Sequence, residues 1–333
     1  MSGGRSVLVT GGAGFIGSHL VDLLLLDPDT RVTVLDRLST GGSRVNLEDH
    51  ERDARFAFVQ GDVRDDAIVR PLVDEADAVI HAAAEAHVDR SVDAPLDFVG
   101  TNVLGTAVVL DACREHSTRM LMLSTDEVYG QGSPDGGAFS EDDALRPRSP
   151  YAASKAGADL LCVAYAATYS VPVTVVRGTN AYGPRQIERV VPTYALAALE
   201  GRPVPVYADG RERREFLHVR DWVRAALLGL DRGVNGETYN IGGGFELENV
   251  ELARRICALA GVDASAITYV ADRPGHDFRY GLDNGKLAAM GWRPEISFDD
   301  GLAETVAWYR THADRLRAAH AGPVVTEPRA AGA

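Results

Sequence analysis

The feature that most constrains this chain is a run of glycines near its start. Val7-Leu-Val-Thr10 leads into Gly11-Gly-Ala-Gly14-Phe15-Ile16-Gly17 and then into Ser18-His-Leu-Val-Asp-Leu-Leu-Leu-Leu26. The apolar stretch before the glycines reads as a buried strand and the stretch after them as a helix. At this G-x-x-G-x-x-G spacing the first glycine permits a tight turn, the second lets an anion approach backbone amides, and the third lets the helix pack on the strand. A second strand, Arg31-Val-Thr-Val-Leu35, ends in Asp36. An acid about 20 residues past such glycines is where a ribose diol binds. The pattern therefore predicts a dinucleotide site built from Gly11, Gly14, Phe15, Ile16, Gly17 and Asp36. Asp36 would repel a 2′-phosphate, which favours NAD over NADP; Arg37 pulls the other way, because arginine can serve that phosphate.

Strand and helix keep alternating. Phe56–Val59 precedes Asp62 and Val63, with Asp62 placed to meet the adenine. Ala78–Ile80 precedes Ala82 and Ala84, small enough for close approach to the cofactor. A helical stretch over 96–116 holds Asn102, and the strands Arg119–Ser124 and Val171–Arg177 follow. This rhythm predicts an α/β fold, a Rossmann-type doubly wound parallel sheet covered on both faces. After residue 180 the rhythm breaks. The expected division is an NAD-binding domain over 1–180, with 216–240 returning to it, and a smaller mixed α/β substrate-binding domain over 181–215 and 241–319. The Ala/Gly/Pro-rich end, 320–333, reads as a disordered tail, and the Gly/Pro/Asp-rich loop 131–148 as mobile.

The formal net charge of −14 argues against nucleic acid and anionic membranes as partners. Three separated cysteines in apolar surroundings (Cys113, Cys162, Cys257) read as reduced core residues, and no metal site is expected. No stretch reads as the roughly 20 apolar residues that span a bilayer, and no signal peptide is evident. The expectation is a cytoplasmic protein.

The chemistry lies between residues 123 and 155. The strand Leu123-Ser124-Thr125 ends in adjacent acids, Asp126-Glu127, and Tyr151-Ala-Ala-Ser-Lys155 opens a helix. A spacing of four puts Tyr151 and Lys155 on one helix face. A cation there would favour the phenolate, letting Tyr151 act as a base well below its ordinary pKa of about 10. With Thr125 bonding the same hydroxyl, this trio suits oxidation of a secondary alcohol by NAD. The acids ask for more. Next to a new ketone the neighbouring C–H becomes acidic, so Glu127 can take that proton while Asp126, kept protonated, gives its own to a departing hydroxyl. Arg185, Arg189, Arg214 and Arg279 cluster in the later part of an acidic chain and suit a diphosphate.

Thr10–Gly17 and the Tyr151-x-x-x-Lys155 pair resemble the extended short-chain dehydrogenase/reductases that act on nucleotide sugars. Ser124–Gly130, Ala84–Ser91 and Asp272–Tyr280 resemble the dTDP-glucose 4,6-dehydratase branch. The resemblance implies oxidation at C4 of the sugar, loss of water across C5–C6 and hydride return to C6. It implies that Asn180 and Arg214 hold the diphosphate, with His87, Glu188, Arg189, Asn249, Arg273, His276 and Tyr280 on the substrate side. It also implies a homodimer through helices near 98–116 and 151–168. Ala181, Arg189 and Gly244-Phe245 depart from the branch's usual residues, and Gly183-Pro-Arg185-Gln186 looks more like epimerases and decarboxylases. A UDP-sugar 4-epimerase, a UDP-glucuronate decarboxylase, a dehydratase of UDP-sugars and a non-catalytic NAD-binding regulator stay open as alternatives.

Overall fold

Alternate residues of the buried strands face opposite helix layers, and this sorts the chain into a three-layer sandwich. The computed structural model describes residues 4–39, 41–133, 136–187, 189–272, 278–279 and 281–319. The first half runs β1 (Ser6–Thr10), α1 (Phe15–Leu25), β2 (Arg31–Asp36), β3 (Phe56–Gln60), α2 (Asp66–Asp74) and β4 (Ala78–His81). Short helices α3 (Val88–Asp93) and α4 (Pro95–Phe98) lead through a π-helical turn, Val99–Leu104, into α5 (Gly105–His116). Then come β5 (Arg119–Thr125), α6 (Pro150–Tyr169) and β6 (Val173–Gly178). The remainder is β7 (Asn180–Tyr182), α7 (Val190–Leu199), β8 (Val204–Tyr207), β9 (Arg213–His218), α8 (Val219–Arg232) and β10 (Thr238–Ile241). It ends with β11 (Glu246–Glu248), α9 (Asn249–Ala260), β12 (Ile267–Val270), α10 (Gly285–Ala289) and α11 (Phe298–Ala319).

Seven strands form one parallel sheet in the order β10-β6-β5-β4-β1-β2-β3. Val7, Val9, Leu121 and Leu123 face one side, where they meet Leu20 and Leu24 of α1 and Trp222 and Leu230 of α8. Leu8, Met120 and Met122 face the other, against Val73 of α2, Leu110 of α5 and Cys162 of α6. Period-two alternation of large apolar residues thus buries both faces, each such side chain contributing about 2 kcal/mol. The chain builds outward from β1 in one direction and from β4 in the other, so a crevice opens between their C-terminal ends, where Thr10 lies in register with His81.

Beyond the large sheet stand a mixed sheet β11-β9-β7 and a parallel pair β12-β8. Helices α7, α9 and α11 pack there around Tyr194, Phe216, Ile256, Leu302 and Tyr309. Strand β9 pairs with β7 and β11, so the return to the large sheet begins only at α8, later than residue 216. Cys113, Cys162 and Cys257 are buried and unpaired.

Two expectations need correction. The loop 131–148 is tied down in its middle. The Phe139 N–H donates to the Gly281 carbonyl (2.8 Å), the Phe139 carbonyl accepts from Asp283, and Glu141 accepts from the Asn240 amide. Its turn-rich composition predicted mobility because it carries no sign of partners more than a hundred residues away. The helical run Pro95–His116 is, by length and composition, apolar enough to cross a membrane. Half of that window is buried inside the protein, and Asn102 and Thr106 on it hydrogen-bond into the core. The tail 320–333 lies outside the described residues.

Candidate active site

The glycine turn has the geometry its spacing requires. Gly11 sits at φ +69°, and a Cβ there would lie 2.6 Å from the Ala83 amide nitrogen. A Cβ on Gly17 would lie 2.2 Å from the Gly11 carbonyl oxygen. A Cβ on Gly14 would lie 3.3 Å from the Gly11 carbonyl oxygen, tighter than an ordinary contact. Gly14 also begins α1 with no side chain capping it. An uncapped helix start offers amides and a positive dipole end to a pyrophosphate. Phe15 and Ile16 anchor that turn against the core. These residues fit a dinucleotide.

Asp36 is buried at the end of β2. It accepts from the Ala13 amide at 3.0 Å and from Leu38 at 2.8 Å, and burial, above all, raises its pKa. Arg37 beside it is held by Asp62 (3.2 Å) and by Glu85. Asp62 also accepts from Nε and Nη2 of Arg64, and these bonds hold its carboxyl down at about 2. Val63 is 4% exposed and packs where Gly105 opens α5. Ala82 and Ala84 are half-buried at the crevice. Asn102 has both amide atoms committed: Oδ1 accepts from the Glu85 N–H (2.8 Å), while Nδ2 donates to the Glu85 carbonyl and to Ser154. It thus fixes the β4–α3 loop to the Tyr151 helix. His81, which the sequence did not single out, bridges Thr10 (2.7 Å) and Thr106 (3.0 Å) and is kept neutral by burial.

At the end of β5, the Thr125 hydroxyl accepts from the Glu127 amide (3.3 Å) and hydrogen-bonds Asp126 Oδ1 (3.1 Å). The chain then makes one 3-10 turn, Asp126–Tyr129. Asp126 is 3% exposed, and its Oδ2 has no hydrogen-bond partner among the described residues. Burial first, then Glu127 and Glu215, push its carboxyl up to about 8, so it is protonated at neutral pH. Glu127 is half-buried.

Tyr151 lies in the first turn of α6, whose cap is Ser149 Oγ accepting from the Ala152 amide (3.0 Å). The expected low pKa is not realised. Burial and the neighbouring Glu127 raise the phenol above its ordinary value, while Arg189 and a bond to Thr125 pull it down. The Lys155 ammonium donates to the Leu123 carbonyl at 2.6 Å. Burial brings Lys155 down to about 8, against the pull of Asp159 one helical turn on. Spacing alone could have found Asp159, four residues past Lys155; its carboxylate is paired with Arg177 at 2.9 Å.

On the facing side, Asn180 is on β7 and Arg214 is buried on β9, donating to the Arg213 carbonyl at 2.9 Å. Asn249 opens α9, and its Oδ1 is buried without a hydrogen-bond partner among the described residues. Arg189 precedes α7 and donates to the Ala86 carbonyl, in the loop that holds the half-buried His87. The four arginines do not converge: Arg185 pairs with Asp22 of α1 (2.7 Å), and Arg279 is gripped by Glu246. Glu188, Arg273, His276 and Tyr280 lie outside the described residues.

Comparison with known proteins agrees with this geometry. A dTDP-glucose 4,6-dehydratase from Actinoplanes sp. is 50% identical over 315 residues, covering 92% of this chain and 98% of that protein. A solved dTDP-glucose 4,6-dehydratase from Streptomyces venezuelae with NAD bound is 46% identical, with a TM-score of 0.90 over 93% of this chain and 98% of its own. The Thermus thermophilus UDP-glucose 4-epimerase, in complex with NAD, is 35% identical, with a TM-score of 0.85 over 92% and 99%. The sequence pattern described as GDP-mannose 4,6 dehydratase matches residues 8–305. With that span matched and relatives this similar along nearly their whole length, the chain belongs to the GDP-mannose 4,6 dehydratase family, among the extended short-chain dehydrogenase/reductases.

Proposed function

We propose that this protein is an NAD-dependent dTDP-glucose 4,6-dehydratase, converting dTDP-glucose to dTDP-4-keto-6-deoxyglucose and water. The observation that carries the reading is Asp126, a buried carboxyl protonated at neutral pH, next to the half-buried Glu127 and beside Tyr151. A 4-epimerase needs the tyrosine and the cofactor but has no use for a carboxylic acid poised to donate.

NAD supplies the hydride acceptor for C4 and the hydride later delivered to C6. The chain's own residues do the rest. Gly11, Gly14, Gly17 and Asp36 hold the dinucleotide, and Asn180 and Arg214 hold the substrate diphosphate. Tyr151 takes the proton of the C4 hydroxyl, aided by Thr125 and by the positive charge of Arg189. Glu127 takes the C5 proton, and Asp126 gives its proton to the departing C6 hydroxyl, which leaves as water. Glu127 then returns its proton to C5. Over one turnover Tyr151 gains the proton that Asp126 loses, and the Thr125 hydroxyl is bonded to both.

A homodimer goes with this reading. Leu96, Val99 and Leu104 on one helical run, and Leu160 and Val163 on α6, are exposed apolar side chains on the two helices that pack together. The buried, unpaired cysteines support a reducing, cytoplasmic setting.

The test is to incubate the protein separately with dTDP-glucose, UDP-glucose and UDP-glucuronate and weigh the products. Loss of water from dTDP-glucose is expected; loss of CO₂ or an isobaric product would replace the reading with a decarboxylase or an epimerase. Glu127→Gln should stop water loss while reduced nicotinamide still forms. Water loss at the parental rate in that variant would remove Glu127 from its role.

A further inference from the structure

Arg37 follows Asp36 at the end of β2, but its guanidinium spans the crevice. One nitrogen bonds Asp62, in the loop after β3, at 3.2 Å; another bonds Glu85, in the loop after β4. With the strands ordered β4-β1-β2-β3, this arginine reaches across the end of β1, where the glycine turn lies. Glu85 is 4% exposed and its backbone is fixed on both sides by Asn102. Its second oxygen accepts from Arg90 at 3.3 Å, and Asp62 is shared with Arg64. Glu85, Asp62 and Asp36 are the acids facing Arg37, and Arg64 and Arg90 are the cations behind them.

We propose that Glu85, with Asp62, sets the cofactor preference by occupying the one guanidinium beside Asp36 that would otherwise serve a 2′-phosphate. The inference rests on the dinucleotide reading and deepens it. Asp36 alone repels a phosphate, yet an adjacent free arginine would offset that repulsion with a planar fork of donors. Here the fork is turned onto two carboxylates. A 2′-phosphate could claim it only by taking one of the two guanidinium groups that pair the buried Glu85, leaving Arg90 alone at 3.3 Å, which is unfavourable.

The test is a competition for binding. The full-length protein is equilibrated with equal NAD⁺ and NADP⁺ and desalted, and the retained nucleotides are quantified after denaturation. The parental protein should retain NAD⁺. Glu85→Gln keeps the side-chain shape but drops its charge, and should shift the ratio toward NADP⁺ by about tenfold, the size of one charge-assisted hydrogen bond. Glu85→Gln with Arg37→Ala should lose that gain. An unmoved ratio in Glu85→Gln overturns the proposal, and so does a gain that survives in the double variant, which would make the effect simple loss of repulsion. Should Glu85→Gln fail to fold, Arg37→Ala alone decides. Its NADP⁺ retention should stay within twofold of the parental level; a tenfold drop would show the arginine already serving the phosphate. A parental protein retaining neither nucleotide would sink the dinucleotide reading itself, a result distinct from all of these.

Discussion

At neutral pH Asp126→Asn should stabilise this protein, and its effect should become more favourable as pH rises. In the folded chain the Asp126 carboxyl titrates at about 8, against 3.8 for an ordinary aspartate. Between those values the folded state keeps a proton that the unfolded state has released. Stability therefore falls as pH rises, by about 1.4 kcal/mol per unit, and the loss levels off above about pH 8. Integrated from the unfolded value, the penalty is on the order of 2 kcal/mol at pH 5 and on the order of 4 kcal/mol at pH 7. Asparagine does not titrate, so the variant escapes this penalty. The substitution also buries an extra amide donor where Oδ2 now has no partner, at a cost of about 1–3 kcal/mol that is independent of pH. The slope rather than the absolute gain is thus diagnostic. Urea unfolding of both proteins at pH 5, 6 and 7, at matched protomer and nucleotide concentrations, reads it directly. The advantage of the variant should rise by roughly 2–3 kcal/mol across that range. A difference that stays flat, or that turns against the variant as pH rises, would mean that Asp126 is ionised in the folded protein and cannot be the acid.

The other predictions concern the rest of the site. Gly17→Ala should cost about 3 kcal/mol or more and release the bound dinucleotide, because its Cβ would sit 2.2 Å from a backbone oxygen that cannot move aside; thermal unfolding and nucleotide retention check both. Arg189→Met removes a cation that lowers the Tyr151 phenol. The limb of the pH–rate profile at which the base forms should move up by about one pH unit, and Arg189→Lys should restore it. Leu160→Arg puts a charge on the exposed apolar face of α6 and should shift the sedimentation of the protein toward monomer, whereas unchanged sedimentation would exclude that face as the dimer contact.

Much of this site could be read before any fold was known, and the reason is local covalent geometry. The glycine spacing, the acid at the end of β2 and the four-residue step from Tyr151 to Lys155 each depend on only a few neighbouring residues. Backbone sterics and the pitch of a helix decide such features wherever they occur. The same rule would have found Asp159. It could not find Glu85, whose partner Arg37 lies 48 residues away, nor the direction of Lys155, because a shared helix face does not say which acceptor an ammonium will choose.

What the amino-acid sequence determined by itself was therefore the parallel sheet, the dinucleotide turn and the chemical identity of the reacting groups. The tertiary structure decided their states. Burial at the end of β5 kept the Asp126 carboxyl protonated, and burial likewise raised the Tyr151 phenol above its ordinary value. Ion pairs held Arg185 to Asp22 and Arg279 to Glu246, and Glu85 with Asp62 claimed Arg37. Protonation and pairing depend on distance and on exclusion of water, and residues far apart in the chain acquire both only when the sheet and its two helix layers close around them.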